Sequence, residues 1–208
     1  MKRYGAFFFV ASLLLSCAAP RPAYLAHPQA IVADGVYMHA ASAMMFPPSA
    51  GDCRRTSIVQ FDVAGNDVSA GYECAPVRTM ATVYVYPARP VASAGSPPEL
   101  VALTQALAEN QEFEVRKQEI LRAHPDARLL DEHNVDAPVP DAPLFGGFAL
   151  FELEDTFGGQ RQKLHSEIDL FSYARGDWVV KYRFTYPAGD RPESLIQGFI
   201  RSVPWGMS

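Results

Sequence analysis

The run Trp178-Val179-Val180-Lys181-Tyr182-Arg183-Phe184-Thr185-Tyr186 constrains the fold more than any other part of this chain. Positions 178, 180, 182, 184 and 186 are apolar or aromatic, and Lys181, Arg183 and Thr185 fall between them. Side chains in a strand alternate between its two sides, so this run presents one buried face and one wet face. Two-faced strands of this kind belong to antiparallel sheets with one side packed on a core.

Neighbouring segments extend the same sheet. Residues 148–154 and 162–173 read as strands, with Gly158-Gly159 in the loop between them and Arg175-Gly176-Asp177 as the turn into the run above. Nearer the N-terminus, residues 56–63, 68–74 and 79–86 are three more strand signals. Ala64-Gly65-Asn66-Asp67 marks the turn between the first two, and Pro87 stops the third. Met44-Met45-Phe46 before Pro47-Pro48 reads as core packing. Between the two sets of strands lies a helix: Ser96 as cap, Pro97 at the first position, Glu99 completing a capping box, and Pro125 stopping it near Ala123. Leu100, Leu103 and Leu107 are expected on its core face, with Phe113, Ile120 and Leu121 continuing the stripe, and Glu112 stands one turn before Arg116. Residues 136–143 carry three prolines and read as a loop. A short closing helix over residues 192–203 buries Leu195, Ile196, Phe199 and Ile200. The expectation is one α+β domain over residues 31–208: an antiparallel sheet of about six to seven strands packed with a long middle helix and a short C-terminal one.

The amino terminus reads as an address. Lys2 and Arg3 precede an apolar run over residues 5–15, which is shorter than the roughly 20 residues needed to cross the hydrocarbon of a bilayer. It fits the central region of an export signal. The run ends Leu14-Leu15-Ser16-Cys17, which resembles the lipobox of bacterial lipoproteins. The resemblance implies removal of residues 1–16 and lipidation of Cys17, so that acyl chains hold the protein on a membrane. Position 18 is Ala18 rather than the aspartate that resembles an inner-membrane retention signal, so the resemblance implies the outer membrane, facing the periplasm, ahead of the inner membrane. Residues 17–30, with three prolines, read as an extended tether.

The chain has three cysteines, and lipidation of one leaves Cys53 and Cys74. In an oxidising compartment two thiols pair as a disulfide; the alternative is two buried free thiols. A simple hairpin about residues 64–67 sets Cys74 opposite Ser57, so a bridge requires the segment before the strand to fold back.

Composition excludes some functions. Apolar residues make up 49% and aromatic residues 12%, too many for a wholly disordered chain. The net charge of −5 argues against a nucleic-acid binder, which needs a basic face. No Gly-x-Ser-x-Gly elbow, phosphate loop, His-Glu-x-x-His or dinucleotide fingerprint occurs. His124, Asp126, Asp131 and His133 are the nearest approach to a metal cluster, but no pair has helical ligand spacing and an exposed helix end is the plainer reading. No cofactor is expected. His165, Glu167, Asp169, Phe171 and Tyr173 share a strand face; it reads as a hydrated face, with acid–base chemistry as the sharper alternative. Tyr84, Tyr86, Trp178, Tyr182, Phe184 and Tyr186 either line an apolar ligand pocket or form a packed aromatic core. Lys181, Arg183 and Arg201 are either a solvated face or a patch for a partner.

Two resemblances follow from these segments. The residues Pro48 to Gly51, Arg54-Arg55, Val68-Ser69-Ala70-Gly71-Tyr72 and Val83-Tyr84-Val85-Tyr86-Pro87, with the run from Trp178 to Arg183, Tyr186-Pro187 and Pro204-Trp205, are similar to uncharacterised proteobacterial envelope proteins. The order of elements resembles the Mog1/PsbP-like α/β/α sandwich, which implies accessory or assembly roles rather than a given chemistry. The expected function is that of a lipid-anchored, non-enzymatic module recognising another envelope protein. A carrier of a small apolar ligand is the second expectation, and a hydrolase or metal enzyme the third.

Overall fold

A computed structural model describes residues 23–91, 95–136, 146–173 and 177–205. Its elements are β1 (Tyr24–Ala30), β2 (Tyr37–Met38), β3 (Met45–Phe46), β4 (Ser49–Ala50), β5 (Cys53–Asp62), β6 (Val68–Cys74), β7 (Thr79–Pro87), α1 (Pro98–Ala123), β8 (Arg128–Asn134), β9 (Gly146–Phe157), β10 (Gln160–Tyr173), β11 (Trp178–Pro187) and α2 (Glu193–Ser202). The main sheet runs β1-β5-β6-β7-β11-β10-β9-β8, with β4 also on β5, and every pairing is antiparallel. Two meanders therefore meet along β7 and β11, and α1 carries the chain from the centre of the sheet to its far edge.

The sheet is the expected α+β arrangement but larger, with nine strands where six or seven were expected. The additional main-sheet strands are β1, β4 and β8. β1 occupies residues assigned to the tether; it pairs irregularly with β5 and shifts register between Tyr24 and Gln29. β8 is exposed along its whole length and has no alternation, so only its backbone pairing with β9 makes it a strand. Arg55 holds the irregular segment that carries β2 to β4: its guanidinium donates to the carbonyls of Phe46, Ala33 at 2.6 Å and Gly35 at 2.8 Å.

Each face of the sheet has its own core. On one, Ile196, Phe199 and Ile200 of α2 pack on Tyr72, Val83, Val85, Tyr182 and Phe184, as the single apolar face of α2 implies. On the other, Phe113 and Ile120 of α1 join Tyr86, Phe151, Leu153, Leu164, Ile168 and Leu170.

The first half of α1 departs from expectation. Leu100, Leu103 and Leu107 are 51%, 57% and 60% exposed, whereas Glu109, Glu112 and Lys117 are buried. The geometry of a helix explains this. At about 100° per residue, Leu107 lies roughly 120° around the axis from Phe113, so the leucines and the phenylalanine are on different stripes. Ser96 does not cap the helix; Pro97 takes that position, and its carbonyl accepts from Leu100 and Val101.

Candidate functional site

The disulfide joins Cys53 and Cys74 directly across β5 and β6, with a Cα separation of 4.0 Å. Two local features bring them together. The turn is centred earlier than the sequence suggests, pairing Gln60 with Val68 and closing with Phe61 N–H on Asp67 C=O at 2.9 Å. A shift between Arg55 and Ser57 then supplies the last residue of register. Gly71 permits it, since a Cβ there would meet the Ser57 hydroxyl at 2.7 Å.

The six aromatic residues do not line one pocket. Trp178, Tyr182, Phe184 and Tyr186 belong to the core under α2, while Tyr84 and Tyr86 project to the α1 side. Tyr182 and Phe184 are fully buried, and the Trp205 indole donates to the Tyr182 hydroxyl at 2.7 Å. The alternation along β11 and the register of β7 dictate this split.

The three basic residues also separate. Lys181 and Arg183 lie on the α1 face of β11, and Arg201 is on α2. Lys181 is not solvated: its ammonium sits 4.1 Å from the centre of the Tyr84 ring and 3.9 Å from Glu119. Burial, followed by the charge of Arg116, pushes its pKa down to about 8.

His124, Asp126, Asp131 and His133 do not converge. His124 faces Asp155 at 3.9 Å, the Asp126 carboxylate accepts the Glu154 backbone N–H at 2.9 Å, and His133 lies 3.4 Å from Asp131 on edge strand β8. Among the described residues no group of three His, Cys, Asp or Glu side chains is placed to hold a metal ion.

The face carrying His165, Glu167, Asp169 and Phe171 is packed rather than hydrated; the Tyr173 side chain lies outside the described residues. Glu167 and Asp169 are buried side by side and hydrogen-bonded to each other, and the Tyr186 hydroxyl donates to Glu167 at 3.1 Å. Burial raises Glu167 to about 6 and Asp169 well above the usual carboxylate range, so the pair retains a proton.

One concave feature of the described residues was not legible in the sequence. A cleft of 870 Å³ opens between β1, the β5–β6 turn, the end of β7 and α1. Its walls include Tyr24, Tyr86, Pro87 and Pro90, and its charged groups are Asp62, Asp67, Glu112, Arg89 and Arg116. The Glu112–Arg116 pair expected from helix spacing forms, with Arg116 Nε donating to Glu112 Oε1 at 2.7 Å. It is part of a larger arrangement: the Tyr86 hydroxyl donates to the same oxygen at 3.0 Å, Arg116 stacks 4.9 Å from the centre of the Tyr86 ring, and it also reaches Glu119 at 2.5 Å. Burial and the neighbouring Asp62 push Asp67 up to about 6. His39 supports the turn from behind. Its Nε2–H donates to Gly65 C=O at 2.9 Å while Nδ1 accepts from the Ser42 hydroxyl at 2.7 Å, and burial lowers its pKa.

Cys17 and the segment expected to be an export signal lie outside the described residues, as do most of loop 136–143 and part of the turn at Arg175-Gly176-Asp177. Among the described residues no helix is long and apolar enough to cross a membrane. No protein-family model, curated protein or solved structure matches the chain.

Proposed function

We propose that this chain is a lipid-anchored binding module of the bacterial envelope, held through Cys17 on the periplasmic side of the outer membrane, that recognises another envelope protein through the cleft beside α1 without chemically altering it. The observation that carries this reading is the cleft itself. It has the size of a specific binding site, aromatic walls and opposed charges. Its described lining contains carboxylates, guanidinium groups and tyrosines but no serine, cysteine or histidine, a set suited to recognition rather than nucleophilic chemistry. The lipobox-like Leu14-Leu15-Ser16-Cys17 supports the anchor, and a disulfide suits an oxidising compartment. The layer order, with a helix on each face of an antiparallel sheet, supports a Mog1/PsbP-like assignment.

Crosslinking in intact cells, followed by purification and mass spectrometry, tests the module. A reproducible partner with the wild type, lost in Arg89→Glu at the cleft, is the expected result; an unchanged set of partners in that variant refutes the role of the cleft. Cys17→Ser is expected to release the protein from the membrane fraction. Absence of lipid on the wild-type chain refutes the anchor.

A further inference from the structure

Asp62 ends β5 and ties the turn that follows, its Oδ1 accepting the backbone N–H groups of Asn66 at 2.8 Å and Asp67 at 3.0 Å. Its other oxygen, Oδ2, has no hydrogen-bond partner, although the residue is 1% exposed and lines the cleft. A buried carboxylate oxygen without a donor is unfavourable, and each such atom in a folded protein calls for an explanation. Asp67 brings a second carboxyl to the same turn. The cations of the cleft are engaged elsewhere: Arg116 binds Glu112 and Glu119, and Arg89 lies 3.8 Å from Glu112. Among the described residues no ion pair reaches Asp62 or Asp67.

We infer that the cleft binds an organic cation, an ammonium or guanidinium group whose N–H donors reach Asp62 Oδ2 and the Asp67 carboxylate while its carbon chain lies along Tyr24 and Tyr86. This inference rests on the reading of the cleft as the recognition site. A calcium ion takes about six to eight oxygens, and two carboxylates, one already half committed to the turn, fall short of that. An ammonium or guanidinium needs only acceptors for its few N–H groups, and aromatic faces attract it, as Tyr86 already attracts Arg116. Tyr24 stands opposite Asp62 in the sheet register and is largely exposed, so its ring turns outward to admit the ligand without disturbing a core.

The charges around Asp67 give the binding a pH dependence. Burial, Asp62 of β5 and Glu112 of α1 raise its pKa, while Arg116 of α1 and Lys181 of β11 oppose the rise; Tyr24 of β1 is a neutral neighbour. A bound cation favours the ionised carboxylate, so affinity weakens as pH falls below about 6.

Two sources share this chemistry: a free amine, and a lysine or arginine side chain on a partner protein. Calorimetric titration of the full-length protein near neutral pH separates them, using cadaverine, the blocked peptide acetyl-Ala-Lys-Ala-amide, and the same peptide acetylated on its lysine. The expected result is saturable binding of cadaverine or the charged peptide and none of the acetylated one. Binding is expected to weaken by about tenfold or more in Asp62→Asn, in Asp67→Asn and at about pH 5. Asp62→Asn keeps the oxygen that ties the turn, and Asp67→Asn lies outside that contact, so a folding defect in one leaves the other informative. Tighter binding of the charged peptide identifies a partner side chain; tighter binding of cadaverine identifies a free amine. The inference is overturned if neither charged probe saturates at millimolar concentration, if the acetylated peptide binds equally, or if both variants bind like the wild type. Failure here with an Arg89-dependent partner still captured in cells removes the cation and leaves the binding module standing.

Discussion

Replacing Asp169 with asparagine is expected to flatten the fall in stability with rising pH. In the folded chain Glu167 and Asp169 share a buried site and keep a proton that the unfolded chain releases. Both carboxyls are raised above their unfolded values. The stability they contribute is therefore complete below the ordinary carboxylate range and is lost as pH climbs through the folded values. The share that Glu167→Gln removes, a rise from 4.5 to about 6, corresponds to about 2 kcal/mol. In a domain of this size that is a loss of about 4–8 °C in Tm. Asparagine has nearly the shape of aspartate, needs no proton, and donates to Glu167 through its amide. Urea unfolding of wild type and Asp169→Asn across the weakly acidic to weakly basic range measures the difference. His39 and Asp126 titrate with the opposite sign and Asp67 with the same sign, but all three are common to both chains and cancel. Parallel stability profiles for the two proteins would refute the shared proton, and Glu167→Gln provides an independent check on the same pair.

Other perturbations test the packing. Phe199→Ala is expected to cost about 3–5 kcal/mol, because the ring is fully buried against Tyr72, Tyr182 and Phe184, and urea unfolding reads it. Leu103→Gln is expected to change stability by less than about 0.5 kcal/mol in the same assay; a loss of core size would return the leucine stripe to the interior. Replacing Cys53 and Cys74 together by alanine is expected to cost about 3 kcal/mol for a bridge spanning 21 residues, seen as a lower denaturation midpoint. Gly146→Ala places a Cβ 2.2 Å from the Val135 carbonyl and is expected to cost about 1–3 kcal/mol, measurable as a reduced Tm.

What the sequence disclosed, and what it hid, follows from where the information is stored. β11 and β7 are legible because each has one face more deeply buried than the other, and that writes a period of two into the chain; β10 is buried on both faces, and only its polar His165, Glu167 and Asp169 kept an alternation in its sequence. α2 is legible for the same reason at the helical period. β8 buries nothing, so no period marks it, and β1, with Pro28 in an edge strand, looks like a tether until its partner β5 is known. The early leucines of α1 have core-like identities but the wrong angular position, which a count of apolar residues overlooks. The cleft draws on four separated parts of the chain. Of its charged set only Glu112 and Arg116 announce themselves by helical spacing; Asp62 falls inside the expected strand 56–63 and Asp67 in the expected turn, with nothing to mark either as part of a site.

The meeting of β7 with β11 has a consequence for how the sheet is assembled. Each meander joins neighbours in sequence, but the central pair joins residues 79–87 to residues 178–187, with α1 and the strands β8 to β10 lying between them in the chain. Pairings of such long range are slow to close. Until then β7, rich in valine and tyrosine, presents an open and strongly strand-forming edge. A chain synthesised from its amino terminus offers that edge to any passing strand, including β11 of a neighbouring copy, so exchange of the C-terminal meander between two molecules is the misassembly this topology invites.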